Sequence, residues 1–292
     1  MSHKAGFVNI IGNPNVGKST LLNQLVGQKL SIVTSKAQTT RHRLLGIVNG
    51  KDFQIIYSDT PGFLKPQYKL QEYMVKAVHT ALEDADILLF TTDVTEEPSE
   101  EHPLVEKVRA VKIPVICILN KTDLVTPEEV EALLSRWQAL LPEATCIPVS
   151  ATLGANLDKL LNTILELLPE SPPYFPKDQL TDKPEKFFVE EIIREKILLF
   201  YRQEIPYSVE VAVESFKEED DLIRIAAKIF VMRDSQKGIL IGHKGQALKK
   251  VGTEARKDIE AFFNKKVFLE LFVKVKKDWR DKDRMLRSLG YQ

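Results

Sequence analysis

Cysteine is scarce in this chain: Cys117 and Cys146 are its two cysteines in 292 residues. They share no CxxC spacing and have no histidine near them in sequence. That excludes a disulfide-stapled scaffold and leaves both as small apolar residues of buried strands in a reducing compartment. The five histidines, at positions 3, 42, 79, 102 and 243, are too scattered to ligate zinc together. No apolar run approaches the roughly 18 residues of a membrane-spanning helix; the longest, such as 113–119, are strand-sized. The start, Met1-Ser2-His3-Lys4, lacks the apolar stretch and cleavage site of a secretory signal. A soluble cytoplasmic protein is the expectation. Net charge is absent too, with 41 Lys+Arg against 41 Asp+Glu.

That balance conceals an asymmetry. Residues 1–180 carry 17 basic and 21 acidic side chains, whereas 181–292 carry 24 and 20. The basic excess concentrates in 228–292, with 17 basic against 8 acidic residues, a net of +9. Such a segment on a neutral chain is the electrostatic footprint of a polyanion partner, although a solvated charged face is the commoner cause. Hydrophobic residues make up 43% of the sequence, enough for packed cores. At roughly 100–200 residues per domain, two domains are expected.

The first 168 residues alternate short apolar runs with amphipathic stretches. Strands are predicted at 7–11, 44–48, 53–57, 87–91, 115–119 and 145–149, with helices near 18–27, 67–82, 99–110, 127–140 and 156–167. This order predicts an α/β domain with a mostly parallel sheet covered on both faces. Asn49-Gly50 is a hairpin signal and adds one antiparallel edge strand. Between 169 and 184 lie five of the fifteen prolines and no apolar periodicity, the mark of an extended linker. The boundaries are therefore drawn at 1–170, 171–184 and 185–292. Beyond the linker, Val189, Ile193, Ile197 and Tyr201 recur at helical spacing. Val209, Val211 and Val213 then alternate with polar residues, as do Ile223, Ile225, Ala227 and Ile229. The order helix, strand, strand, short helix, helix, strand predicts a smaller α+β domain with a three-stranded sheet.

Gly12-Asn13-Pro14-Asn15-Val16-Gly17-Lys18-Ser19, followed by Thr20, fits G-x-x-x-x-G-K-[ST] between a predicted strand and a predicted helix. Average residue usage gives this pattern by chance about once in a hundred chains of this length. Backbone N–H groups of such a loop cradle phosphates at a helix N-terminus, and the glycines admit close approach. Lys18 would reach the β- and γ-phosphates, and the Ser19 hydroxyl would ligate Mg²⁺. Asn120-Lys121-Thr122-Asp123 follows a buried strand at the end where open α/β sheets bind ligands. A carboxylate at Asp123 can accept from both the ring N–H and the exocyclic amine of guanine. Adenine would leave it unpaired, a mismatch that discriminates by about 10⁴. Ser150-Ala151, also past a strand, would present a backbone N–H to the guanine oxygen. Asp59-Thr60-Pro61-Gly62 ends the third strand: Asp59 would hold Mg²⁺ through water, and the Gly62 N–H would sense the γ-phosphate. The polar stretch 30–43 holds a threonine whose hydroxyl reaches Mg²⁺ with GTP bound; Thr40 is chosen over the adjacent Thr39. Lys18, Thr40 and Gly62 are thus the expected catalytic set.

In this order the residues resemble the translation-factor class of P-loop GTPases. More narrowly, GNPNVGKSTLLN, KAQTTRHR, DTPGF and NKTD resemble the Era family. Phe63 stands where many small GTPases place a water-orienting glutamine, and an apolar side chain cannot orient water. Slow intrinsic hydrolysis follows, on the order of 10⁻⁴–10⁻² s⁻¹. Relatives with the same loop hold K⁺ through the loop asparagine, here Asn15.

The resemblance also implies a C-terminal KH domain of type II. Gly242-His243-Lys244-Gly245 lies between two predicted helices, after two alternating strands, the context in which a GxxG loop clamps about four nucleotides of single strand. Lys244, Lys249 and Lys250 add charge, and Ile239, Ile241 and Val251 are candidates for an apolar floor. His243 reads most simply as a solvent-facing loop residue. Trp279 and Arg280, in a tail resembling the Era C-terminus, either stack on RNA or anchor the tail. The family implies a monomeric switch acting in the cytoplasm of bacteria, with contact to the inner membrane confined to its periphery. Its partner there is the single-stranded 3′ end of small-subunit ribosomal RNA, in assembly of the small subunit. A different class of reading is a constitutive RNA-binding adaptor whose GTPase domain docks a protein.

Overall fold

A computed structural model describes residues 3–291. The chain forms two compact units. The first runs to Asp182 apart from Ile32–Thr39 and Tyr68–Leu70, which cluster with the chain from Lys183 onward in the second. In the first lie β1 (Lys4–Ile11), α1 (Lys18–Val26), β2 (Leu44–Asn49), β3 (Phe53–Asp59), α2 (Lys69–Glu83) apart from its first two residues, β4 (Ile87–Asp93), α3 (Val105–Ala110), β5 (Val115–Asn120), α4 (Pro127–Leu140), β6 (Thr145–Pro148) and α5 (Leu157–Leu167).

These strands form one sheet in the order β2-β3-β1-β4-β5-β6. Every pairing is parallel except β2 with β3, which places the expected antiparallel strand at the edge. All seven residues of β4 are buried, as a strand covered on both faces requires. Helix starts follow local rules: α4 opens with a capping box between Thr126 and Glu129 and with Pro127 in its first turn. Because β1, β3, β4, β5 and β6 run in one direction, the segments after Ile11, Asp59, Asp93, Asn120 and Pro148 gather at one end of the sheet. Four separate sequence motifs thereby become one site.

The proline-rich segment belongs to the first unit as far as Asp182 and is tied to its sheet. The Ile47 N–H donates to Leu180 O (2.8 Å), and the Leu45 N–H to Asp182 Oδ1 (2.9 Å). Gln54 Oε1 accepts from the N–H groups of Tyr174 and Phe175 at 2.7 and 3.0 Å.

The second unit holds α6 (Glu185–Phe200), α7 (Ile205–Ser208), β7 (Glu210–Glu218), β8 (Leu222–Val231), α8 (Asp234–Ile241), α9 (Gln246–Phe263), β9 (Lys266–Val275) and α10 (Asp283–Ser288). Its sheet runs β7-β8-β9, with β7 antiparallel and β9 parallel to the central β8. Ile223, Ile225, Ala227 and Ile229 of β8 meet Val189, Ile193 and Ile197 of α6 and Val251, Ala255 and Ile259 of α9 in one core. No helix among the described residues is long and apolar enough to cross a membrane.

Candidate nucleotide site and nucleic-acid interface

The loop from Gly12 to Ser19 leaves no room for larger residues at its two glycines. A Cβ on Gly12 would stand 2.1 Å from Thr91 O, and one on Gly17 2.2 Å from Asn120 Nδ2. Gly17 also takes φ +97° as it opens α1, a conformation that favours glycine. Within the loop the Lys18 ammonium donates to Gly12 O (3.1 Å) and Asn13 O (2.8 Å). Burial lowers its pKa to about 8, against the opposing pull of Asp59 and Glu96. Asn13 Nδ2 donates to Glu96 Oε1 (2.6 Å), and Thr92 Oγ1 to Glu96 Oε2 (2.7 Å). Glu96 therefore braces the loop from behind, a role no sequence motif announced.

Oxygens converge at the start of α1. Ser19 Oγ donates to Asp59 Oδ2 (2.6 Å), Ser31 Oγ donates to the same atom (2.8 Å), and Thr40 Oγ1 lies 2.8 Å from Ser19 Oγ and 3.3 Å from Asp59 Oδ2. Asp59 Oδ1 is buried with no hydrogen-bond partner. Burial raises the Asp59 pKa, with the Ser19 hydrogen bond and the Lys18 charge working the other way. An all-oxygen donor set with an orphaned carboxylate oxygen suits a hard divalent cation such as Mg²⁺. The same geometry separates two adjacent threonines. Thr40 joins this cluster, whereas the Thr39 hydroxyl pairs with Thr34 Oγ1 and donates to Lys36 O, both at 2.6 Å.

Gly62 abuts the loop: its Cβ would lie 2.7 Å from the Pro14 backbone. The next N–H, of Phe63, donates to Gly12 O (3.1 Å). The Phe63 ring packs on the core formed by Val78, Leu88 and Leu104 and meets His79 edge-on, with 6.4 Å between ring centroids. Asn15 stands exposed in the loop at φ 66°.

Asn120 turns out to be a tie between motifs. Its Nδ2 donates to Val16 O (2.8 Å) and its Oδ1 accepts from the Ala151 N–H (3.0 Å). The Ala151 N–H, one of the two amides of Ser150-Ala151 expected near the guanine oxygen, thus points at Asn120 Oδ1 here. Ser150 contributes through its side chain, with Oγ donating to Asp123 Oδ1 (2.5 Å). Asp123 itself is exposed at the end of the sheet. Lys121, at φ 60°, donates to Asp93 Oδ2 (2.5 Å). Burial works to raise the Asp93 pKa, but the bonds from Lys121 and Thr95 prevail and lower it.

In the second unit, Gly242 (φ 72°), Lys244 (φ 48°) and Gly245 (φ 76°) carry the chain from α8 into α9. Next to this loop a groove of about 530 Å³ opens between α9 and β9, lined by Gly245, Leu248, Lys249, Gly252, Thr253, Arg256, Leu269 and Leu271. Its apolar lining is Leu248, Leu269 and Leu271, and the expected floor residues Ile239, Ile241 and Val251 do not line it. Ile239 is exposed, Ile241 half-buried, and Val251 fully buried in the core. His243 and Lys244 are exposed on the loop. Lys250 lies over the Phe200 ring, 4.5 Å from its centroid, and does not line the groove. The stacking role for Trp279 is corrected as well. That ring is fully buried, and its Nε1–H donates to Ser208 O (3.0 Å), so it anchors the tail. Arg280 lies 4.1 Å from the centroid of Tyr68.

Comparison with known proteins agrees with this geometry. The family described as 50S ribosome-binding GTPase matches residues 7–121, and the KH domain family matches residues 204–280. The structure is similar to that of Era in complex with MgGDPNP and nucleotides 1506–1542 of 16S ribosomal RNA, with 41% sequence identity, 99% of each chain covered and a TM-score of 0.95. The same identity, coverage and TM-score relate it to a tyrosine-to-alanine variant of Era from Aquifex aeolicus bound to GDP and AlF₄⁻. With both halves matched in a single end-to-end likeness, the chain belongs to the Era family of GTPases, its P-loop domain followed by a KH domain.

Proposed function

We propose that this protein is a GTP-hydrolysing switch whose GTP state licenses binding of the single-stranded 3′ end of small-subunit ribosomal RNA, in assembly of that subunit. The observation that carries the reading is the likeness over 99% of both chains to Era holding a GTP analogue and that RNA. Action on ribosomal RNA supports a cytoplasmic location.

The residue roles follow from the geometry above. Backbone N–H groups of the 13–19 loop and the N-terminus of α1 receive the phosphates, and Lys18 carries the positive charge that bridges β and γ. Ser19 and Thr40 would hold Mg²⁺ directly, with Asp59 supporting it through water. When bound, the ion neutralises developing charge on the phosphate oxygens. Thr40 belongs to the segment that answers to the γ-phosphate, and the Gly62 N–H reads the same group from the other side. Asp123, held by the Ser150 hydroxyl, accepts from the guanine edge, while Asn120 keeps the base loop and the phosphate loop in register. With Phe63 packed into the core, no side chain at that position orients water, and intrinsic turnover is slow. Asn15 offers one exposed amide oxygen to K⁺; equal GTPase rates in KCl and NaCl would remove that role. RNA enters the α9–β9 groove with its phosphates on the 242–245 loop and its bases over Leu248, Leu269 and Leu271.

The deciding experiment compares a labelled RNA copying that 3′ end against protein loaded with a non-hydrolysable GTP analogue or with GDP, at one fixed salt. Markedly tighter binding with the analogue is expected. Equal binding in both states would instead make the protein a constitutive RNA-binding adaptor.

A further inference from the structure

The groove uses one face of β9; the other face of that strand has no assigned role. Val267, Leu269, Leu271 and Val273 turn toward the helices, while Lys266, Phe268, Glu270, Phe272 and Lys274 turn outward and are exposed. Phe268 is 47% and Phe272 51% exposed, unusual for phenylalanine on a sheet that has a complete core behind it. Their backbone positions are about 13 Å apart at roughly 3.3 Å per residue, which makes two separate stations.

Cations frame both rings. On β8 the register partners of Phe268 and Phe272 are Arg224 and Lys228. The Arg224 guanidinium lies 5.7 Å from the Phe268 centroid. Partial desolvation lowers the Lys228 pKa, and the like charges of Lys274 and Lys276 beside it lower it further. Glu219 and Glu214 pair with Arg224 and Lys228 at the rim, but Lys274 has no carboxylate within ion-pair range among the described residues. One end of the face is closed by the tail: Tyr291 OH donates to Glu210 Oε2 (2.6 Å), and Glu210 is the register partner of the buried Phe230.

An apolar protein surface would cover the rings but bury Lys274 without a counter-charge. A single-stranded nucleic acid answers both features, with bases stacking on the rings and phosphates meeting the cations. The face also adjoins the groove, since Leu269 and Leu271 of the same edge strand line it. We infer that the outer face of β8 and β9, centred on Phe268 and Phe272, is a second binding surface for single-stranded RNA, taking the strand as it passes out of the groove over the β9 edge. This rests on the RNA-binding reading above.

The test measures affinity for two RNAs at fixed salt: a four-nucleotide strand that fills the groove, and one of about sixteen nucleotides. Phe268→Ala with Phe272→Ala is expected to leave the short strand within about twofold and to weaken the long one at least tenfold. Tyrosine at both positions restores the long-strand affinity. Lys274→Ala lowers the salt slope for the long strand by about one and leaves that for the short strand unchanged. Unchanged long-strand affinity in the alanine pair overturns the inference and points to a protein partner for this face. Equal weakening of both strands overturns it too, as damage to the fold. Failure of the unmutated protein to bind even the short strand is a different outcome, which brings down the RNA-binding reading itself.

Discussion

Two glycine loops in this chain run straight into a helix N-terminus, 12–17 into α1 and 242–245 into α9, and their surroundings differ. At Gly12 and Gly17 an added Cβ would collide with Thr91 O at 2.1 Å and Asn120 Nδ2 at 2.2 Å. At Gly245 it would meet nothing within 4 Å, and at Gly242 it would meet the Ala247 Cβ at 2.6 Å. The first loop is clamped between motifs from several strands and has one shape. The second is fixed mainly by its own backbone torsions, facing solvent. A small, identical ligand moiety justifies the clamp; a strand whose bases vary is better served by an open loop.

Substitutions should break this contrast in graded steps. Gly17→Ala must displace Asn120, which ties Val16 to Ala151, so GTP affinity should fall at least about a thousandfold in a fluorescent-nucleotide titration. Near-normal GTP binding would show that the clamp is dispensable. Asp123→Asn should shift preference from guanosine towards xanthosine nucleotides by about a hundredfold, because the amide now offers a donor where the carboxylate accepted. A middle-sized effect is expected from pH. Burial holds the Lys18 pKa near 8 in the free protein, and phosphate favours the ammonium, so binding takes up a proton above that pH. GTP affinity should be flat from pH 6 to 7.5 and fall by up to about tenfold between pH 8 and 9, as calorimetry in two buffers would register. The smallest change belongs to the open loop. Gly245→Ala should weaken RNA binding only about two- to fivefold through left-handed strain, whereas Gly245→Asp adds charge against phosphate and should nearly abolish it. Equal losses in both variants would mean that Gly245 is needed for its shape alone.

Local spacing made much of this legible. The 12–19 loop, Asn120–Asp123 and the strand alternations of 209–213 and 223–229 are written within a few residues each, and periodicity alone orders both sheets' cores. What escaped depends on distant residues meeting. Nothing marks Ser31 as a partner for Asp59, or the Ser150 hydroxyl as one for Asp123. Thr39 and Thr40 have the same chemistry, and their opposite orientations exist only after the chain bends. The groove floor needs α9 beside β9, so nothing in the sequence marked Leu269, Leu271 and Arg256 as its lining, and Trp279 lies among charged residues, its docking on Ser208 being tertiary.

The segment behind Pro169 has a consequence of its own. The sheet has two edges. One is β6, four residues long and ending in Pro148, too short to recruit a neighbour. The other is β2, six residues of Leu, Ile and Val around one glycine and one asparagine, the kind of strand on which foreign chains add by backbone pairing. Leu180, Thr181 and Asp182 occupy its outward backbone groups. The proline-rich stretch therefore works as an edge guard against self-association. A GTPase domain cut after Leu168 would expose a bare strand and aggregate with time, and one cut after Asp182 would stay dispersed, with the same nucleotide site in both.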